Sequence, residues 1–340
     1  MHSPAGEVER AIHAVLGGTL VHEAAVDVSL DPSSLEDAVD LYCSAGRAAL
    51  DASIEPDWYQ AYVQFRDWQK AEQSVITHLW PVLQQAEAEG TVVAWWFVRK
   101  FPCWRFRIRS GSSAAPSTAK ALLTQALDAM VALGAADRWW ESIYEPETYA
   151  LGGPAGIEIA HRLFHADSRA LMAYASPRAD DTAAPPPLGR RELSILLLSA
   201  LMRGADQEWA EQGDIWHRVE QSRPFPSGTP SDQLQAMRPM LRRLLTLDTG
   251  PASNLTQRTD PLAQYKEWIR AFSTSGEEFG ATRNNGSLTR GMRDVMERLA
   301  LFHWNRMGLP SIHQSILARA AREAIFTTST DFPTQASSPE

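Results

Sequence analysis

Cysteine is nearly absent from this 340-residue chain: only Cys43 and Cys103 occur, far apart. They build neither a disulfide framework nor a metal knuckle, which points to a reducing, cytoplasmic setting. A basic surplus is missing too. The net charge is -9, so nucleic acid is not an expected partner, because general affinity for it needs a cationic face. No apolar run reaches the roughly 18 residues of a spanning helix, so no membrane partner is expected. The start, MHSPAGEVERAIHAVLGG, has no cationic region ahead of an apolar core and does not read as a signal peptide. No Gly-x-Ser-x-Gly element, phosphate-cradling loop or internal repeat occurs. Glu158, His161 and His165 follow i, i+3, i+7 spacing, but no second Cys or His cluster joins them, and no metal is expected.

Tryptophan, by contrast, is abundant. Of the 12, Trp58, Trp68, Trp80, Trp95, Trp96, Trp104, Trp139 and Trp140 fall early in the chain. Most belong to a core, although indole faces also suit flat or peptide ligands. The strongest local signal lies among them. Residues 91–99 (TVVAWWFVR) read as a strand buried on both faces. Residues 104–109 alternate strictly, with Trp104, Phe106 and Ile108 on one side and Arg105, Arg107 and Arg109 on the other. Buried unpaired charge is costly. The arginine row therefore has two readings: an ion ladder with Glu141, Glu145 and Glu147, or an anion- or carbonyl-gripping wall.

Helices are expected at 4–17 and 34–50, the latter capped by Ser33 or Ser34 ahead of Glu36 and Asp37. Residues 1–52 then form an N-terminal helical segment. Alternation predicts a strand over 57–66, and Asp67 caps a helix over 68–88 that Pro81 must kink or split. A loop at 110–117, a helix at 118–133 and a strand at 138–147 follow. Gly152-Gly153-Pro154 opens a helix at 155–175 as a turn with proline in the first helical position. After an exposed connection at 178–190 the pattern is helical: 190–203, 206–221, 231–247, 259–273, 288–307 and 311–326. The long connections RPFPSGTPSD, DTGPASNLTQRTDP and STSGEEFGATRNNGS suit binding loops. The tail 327–340 is Ser/Thr/Pro-rich and expected to be disordered. The expected fold is α+β: an antiparallel or mixed sheet packed by helices, with a mostly helical C-terminal half.

The order of motifs is recognisable. Trp58-Tyr59 … Phe65-x-Asp67 … Ala71-Glu72, then Trp96-Phe97-Val98-Arg99, then Arg105-Phe106-Arg107, resembles the C-terminal domain of lantibiotic dehydratases and the stand-alone thiopeptide-type bacteriocin biosynthesis proteins. Tyr144-Glu145-Pro146-Glu147, Gly152-Gly153, Phe164-x-x-Asp167-Ser168 and Asn305-Arg306-Met307-Gly308 extend the resemblance across 57–310, within an expected domain 53–326. It implies one of two chemistries. Eliminases remove glutamate from glutamylated Ser or Thr. Pyridine synthases join two dehydroalanines in a formal [4+2] aza-cycloaddition, then lose water and the leader peptide.

Three departures favour the cyclase. Trp104 stands where eliminases carry a His, Ala150-Leu151 where they carry an Arg, and Leu301 where they carry another His. An eliminase needs cations for the glutamyl carboxylates and a base for the α-proton. Glu208-Trp209-Ala210-Glu211-Gln212-Gly213-Asp214-Ile215-Trp216 also resembles a pyridine-synthase feature. The resemblance implies no cofactor, and a modified precursor peptide with its leader as partner; other enzymes of the pathway and a second copy of the chain are further expected partners. Expected catalytic residues are Ser287, Glu211, Gln212, Asp214 and His303; expected substrate contacts are Arg105, Arg107, Trp96, Trp104, Trp216 and Arg290. Each has a structural alternative: Ser287 as a helix N-cap, Glu211 to Asp214 as a solvated helix face, His303 as a packed side chain. A non-catalytic scaffold that binds leader peptide is the third functional reading.

Overall fold

The computed structural model describes residues 4–53, 58–111, 116–177, 188–223, 225, 231–250, 253 and 262–327. The expected disordered tail, the connection around 178–187 and most of the 224–230 and 251–261 loops lie outside these residues. Two compact units divide the chain, Met1–Asp57 and Trp58–Glu340.

The first unit holds α1 (Pro4–Leu16), α2 (Val21–Asp27) and α3 (Pro32–Ser53). Ala11, Ile12, Ala24, Ala25 and Leu35 form its small core. Helix α2 has no counterpart among the expected elements, because seven residues are too few to display a period. At the start of α3 the cap is Asp31, not Ser33 or Ser34: its carboxylate accepts the amide N–H of both serines, at 3.1 and 3.3 Å.

The second unit begins with β1 (Trp58–Gln64), followed by α4 (Ala71–Ser74), α5 (Trp80–Ala88), β2 (Val92–Lys100), β3 (Cys103–Ser110), α6 (Pro116–Ala132) and β4 (Arg138–Ser142). Asp67 accepts the Gln69 amide at 2.9 Å, as a capping residue does. Between α4 and α5 the chain widens into a π-helical turn over Val75–Leu79. Pro81 explains it, since its ring would clash with the carbonyl four residues back in a regular helix. The strands form one antiparallel sheet in the order β2-β3-β1-β4. The last strand is shorter than 138–147, ending at Ser142. One face, with Trp95, Phe97, Trp104 and Phe106, is fully buried, and Trp80 of α5 packs on Trp95 at 5.5 Å.

Helices α7 (Pro154–Ala175), α8 (Arg190–Gly204), α9 (Trp209–Ser222), α10 (Ser231–Thr246), α11 (Lys266–Asn284), α12 (Met292–Met307) and α13 (Ser311–Phe326) complete the unit. Helix α11 overturns two expectations. STSGEEFGATRNNGS is not a loop; all but its last three residues are helical. Its small residues serve helix contact: a Cβ on Gly276 would stand 2.2 Å from the Leu201 carbonyl of α8, and one on Gly204 2.3 Å from that of Ser273. Ser287 is not a helix cap, because α12 starts at Met292 after Gly291.

Two ion clusters, the first fully buried and the second half-buried, tie these pieces together. Asp167 of α7 accepts from Trp268 Nε1 at 2.9 Å, His303 Nδ1 at 2.9 Å and Arg306 Nε at 2.8 Å. Glu72 takes Arg190 at 2.5 Å on one oxygen and Arg99 on the other. Arg190 also donates to the Met307 carbonyl at 2.8 Å, and Gly308 (φ +72°) lies against Arg99. The outer edge of β2 is covered by side chains: the Trp95 amide donates to His165 Nδ1 at 3.1 Å, and that of Phe97 to Ser168 Oγ at 3.4 Å. A strand edge covered this way cannot recruit another strand.

Candidate functional site

The second face of the sheet carries the site. Antiparallel pairing sets Arg107 opposite Gln60 on β1 and Trp96 on β2, so the three side chains share one cross-strand row. Helix α7 lays His161 over this face, 4.6 Å from the Trp58 ring, and Phe164 4.7 Å from Trp96. The segment after β4 folds back, held by Gln60 Nε2 donating to the Ile143 carbonyl at 2.8 Å. Tyr144 is thereby placed between Arg107 and His161, with its hydroxyl 2.7 Å from His161 Nε2. Phe302 of α12 closes the far side at 6.0 Å from Trp96.

The electrostatics of Arg107 are unusual. Its guanidinium lies 4.0 Å from the Trp96 ring and 5.0 Å from that of Tyr144, and it is only 7% exposed. Among the described residues no carboxylate pairs with it, and neither Nε nor Nη1 has a hydrogen-bond partner. Burial, with Arg105 as a like-charged neighbour, lowers its pKa to about 10, so it stays charged near neutrality. Gln60 Oε1 and Trp96 Nε1 are also buried without partners. Buried polar groups are normally satisfied, and this concentration of unpaired donors and acceptors on one face makes the cluster the candidate site. Burial lowers the His161 pKa to about 4 despite Glu158 nearby, and burial also holds the Tyr144 phenol well above its ordinary value. The pair is neutral near pH 7, joined by the hydrogen bond between the phenol and Nε2, and the imidazole cannot act as a resident cation.

Among the described residues, the ion-ladder reading of the arginines is not met. Glu141 pairs with Lys120 at 2.7 Å, Glu147 with Arg298 at 3.7 Å, and Arg109 with Glu158 at 3.4 Å. Arg105 stacks on Tyr62 at 4.8 Å, and Tyr62 stacks in turn on Trp140 at 5.5 Å. This aromatic and cationic strip continues the row toward the exposed side of the sheet.

The structure gathers only part of the expected set. Trp96 and Arg107 line the cluster, with Arg105 beside it. Trp104 faces the other way, buried in parallel stacking on Phe97 at 4.9 Å. Helix α12 separates the α9 residues from the cluster. Phe302 and Trp304, two residues apart on a helix of about 3.6 residues per turn, point nearly opposite ways. Phe302 meets Trp96, whereas Trp304 stacks on the fully buried Trp216 at 5.5 Å. Glu211 and Asp214 of α9 hold Arg293 at 3.0 and 3.1 Å, and Glu211 also closes a capping box with Glu208. Gln212 donates to the Gln207 carbonyl at 2.9 Å. Arg290 sits beside Asp294 at 3.5 Å, over the Tyr149 ring at 5.4 Å. Ser287 is exposed, its amide donating to Asn285 Oδ1 at 3.0 Å. His303 is packed, bound to Asp167 and edge-on to Phe272 at 5.0 Å. Gln60, Tyr144 and His161 were not expected as site residues. Tyr144 carries a sequence signal, since it begins the Tyr-Glu-Pro-Glu motif; His161 carries only its i, i+3 spacing from Glu158. His161 and His165 in fact diverge, the second turning to Glu87 at 3.2 Å and to the edge of β2.

One antiparallel sheet, covered on its inner face and edged by a helical half, with a charged and aromatic cluster on the other face, is the architecture to be matched. The family model of the lantibiotic biosynthesis dehydratase C-terminal domain matches residues 58–325, and the chain belongs to that family. No functionally curated protein matches it in sequence. Among solved structures, MibB, a tRNA-dependent lantibiotic dehydratase from Microbispora sp. 107891, is similar at 16% identity and a TM-score of 0.60, over 80% of this chain. The match spans 28% of MibB. TsrL is similar at 16% identity and a TM-score of 0.53, over 79% of this chain and 97% of that one. TbtD, a pyridine synthase from thiomuracin biosynthesis, gives 12% identity and a TM-score of 0.49 over 79% of this chain and 97% of its own. Identities this low speak to the fold.

Proposed function

We propose that the chain modifies a ribosomally made precursor peptide, joining two of its dehydroalanines by formal [4+2] aza-cycloaddition with loss of water and leader to leave a pyridine within a macrocycle. The observation that carries this reading is the neutral Tyr144–His161 pair beside the unpaired guanidinium of Arg107, on a face walled by Trp58 and Trp96. The reaction needs one backbone amide as its imidic acid: a proton leaves nitrogen and another reaches oxygen. Arg107 donates to that oxygen, and the phenol and imidazole, neither charged, pass the proton. Orienting diene and dienophile is worth about 7–11 kcal/mol, whereas one acid or base supplies about 10²–10⁴-fold. The indole walls therefore matter more than any one titrating group.

Arg107 itself favours a second reading, glutamate elimination, because a buried guanidinium without a protein carboxylate suits a glutamyl carboxylate. Incubating the full chain with a precursor bearing dehydroalanines and thiazoles, and separately with a glutamylated precursor, distinguishes the readings by mass spectrometry. Leader release with formation of a macrocycle is the expected result. Loss of glutamate instead assigns the eliminase, and binding without any mass change assigns a leader-binding scaffold.

A further inference from the structure

The N-terminal unit is a separate question from the cluster. Of the 41 acidic side chains, eleven precede residue 58, against only Arg10 and Arg47 among the 32 basic ones. These 57 residues therefore carry a net charge of -9, the whole net charge of the chain, and the rest is balanced. The boundary coincides with the start of the family match at residue 58, so the charge sits on what is added to the family domain. Among the described residues, Glu23, Asp27, Glu36, Asp37 and Asp40 have no basic partner. The same unit leaves large apolar side chains in water: Leu16 is 51% exposed, Leu20 58%, Val26 76% and Leu41 72%. Acidic residues neighbour two of them on the same helices: Glu23 and Asp27 flank Val26, and Asp37 and Asp40 lie four and one residues before Leu41.

We propose that α1 to α3 form a docking module for a lysine- and arginine-rich amphipathic helix of a partner protein. The pattern selects this occupant. Apolar anchors set among acids are complementary to apolar anchors set among bases. The described unit is wholly helical and offers no strand edge, so a partner must bind through side chains, as a helix laid on a helical surface does. A second copy of the module is repelled by like charge, nucleic acid likewise, and the rest of the chain has no cationic surplus to match it.

The test uses the full chain and a labelled amphipathic helical peptide of leucine and lysine, with a leucine–glutamate peptide of the same pattern as control. Binding of the lysine peptide alone is expected, weakening about tenfold as salt rises from about 50 to about 200 mM. Amide exchange should slow in α1 to α3 and not in the sheet. Asp37→Asn/Asp40→Asn and, separately, Leu41→Ser should each weaken binding about fivefold or more while leaving the unfolding midpoint unchanged, since these side chains are exposed. Glu23→Gln/Asp27→Asn provides the same reading on α2. Equal binding of the glutamate peptide, affinity unmoved by both sets of substitutions, or protection confined to the sheet would overturn the proposal.

Discussion

Asp167→Asn removes a buried charge without changing side-chain volume, so its cost reports electrostatics and not a cavity. The carboxylate, Arg306 and His303 are each 1–2% exposed. An asparagine oxygen can still accept from Trp268 Nε1, and His303 can change tautomer to meet the new amide. Arg306 cannot adjust: its Nε loses the 2.8 Å acceptor and keeps only the Phe97 carbonyl at 3.5 Å from Nη1. Orphaning one member of a buried pair costs about 3–5 kcal/mol, a large share of the roughly 5–15 kcal/mol that holds a domain folded. Urea unfolding followed by tryptophan fluorescence isolates the second unit, because no tryptophan precedes Trp58. With a slope of about 2 kcal/mol/M, the midpoint should fall by about 2 M. A fall below about 0.3 M would refute the reasoning. Acid sensitivity gives a second readout. Burial alone would raise the Asp167 pKa, but His303 and Arg306 outweigh it and hold it below its ordinary 3.8. That stabilisation is present above the unfolded-state value and is lost as pH falls through the lower folded one. The asparagine variant should lack this acid transition.

Three further outcomes are expected. Arg107→Met should lower turnover about 10²–10³-fold while leaving the thermal midpoint unchanged or raised, since an unpaired buried charge gives way to an apolar chain; a large loss of stability would mark Arg107 as structural. His161, whose pKa drops from 6.5 to about 4 on folding, binds more protons when unfolded. Stability should therefore fall as pH is lowered through that interval, and urea midpoints of His161→Gln should lack that component of the slope. Gly276→Ala should shift the thermal midpoint down by several degrees, because its Cβ would press on the Leu201 carbonyl at 2.2 Å; an unchanged midpoint would show that α8 and α11 separate at little cost.

The strands themselves and the Pro81 interruption were legible because they rest on local rules: alternation, apolar run length and a missing N–H. Helix α11 was not legible for a related reason. Gly276 looks like loop composition, yet with Gly204 it lets two helix backbones approach, and no local rule distinguishes these uses. The site was half legible. Alternation placed Arg107 across from the buried face, but Gln60, Tyr144 and His161 join it only through register and through the descent of α7, both long-range outcomes. The family motifs serve two purposes. Glu72, Arg99, Asp167, Ser168, Arg306 and Gly308 hold helices to the sheet, whereas Trp58, Trp96, Arg107 and Tyr144 of the same motifs meet in the cluster, and only Gln60 and His161 come from outside them.

The two rims of the sheet are unequal. His165, Ser168 and Arg306 occupy the backbone groups of β2, whereas β4 is the terminal strand on the opposite rim. An added strand is thus blocked at the β2 rim along Trp95 to Phe97. An extended chain that paired with β4 would instead run beside Trp140 and Ser142, which share cross-strand rows with Arg105 and Arg107.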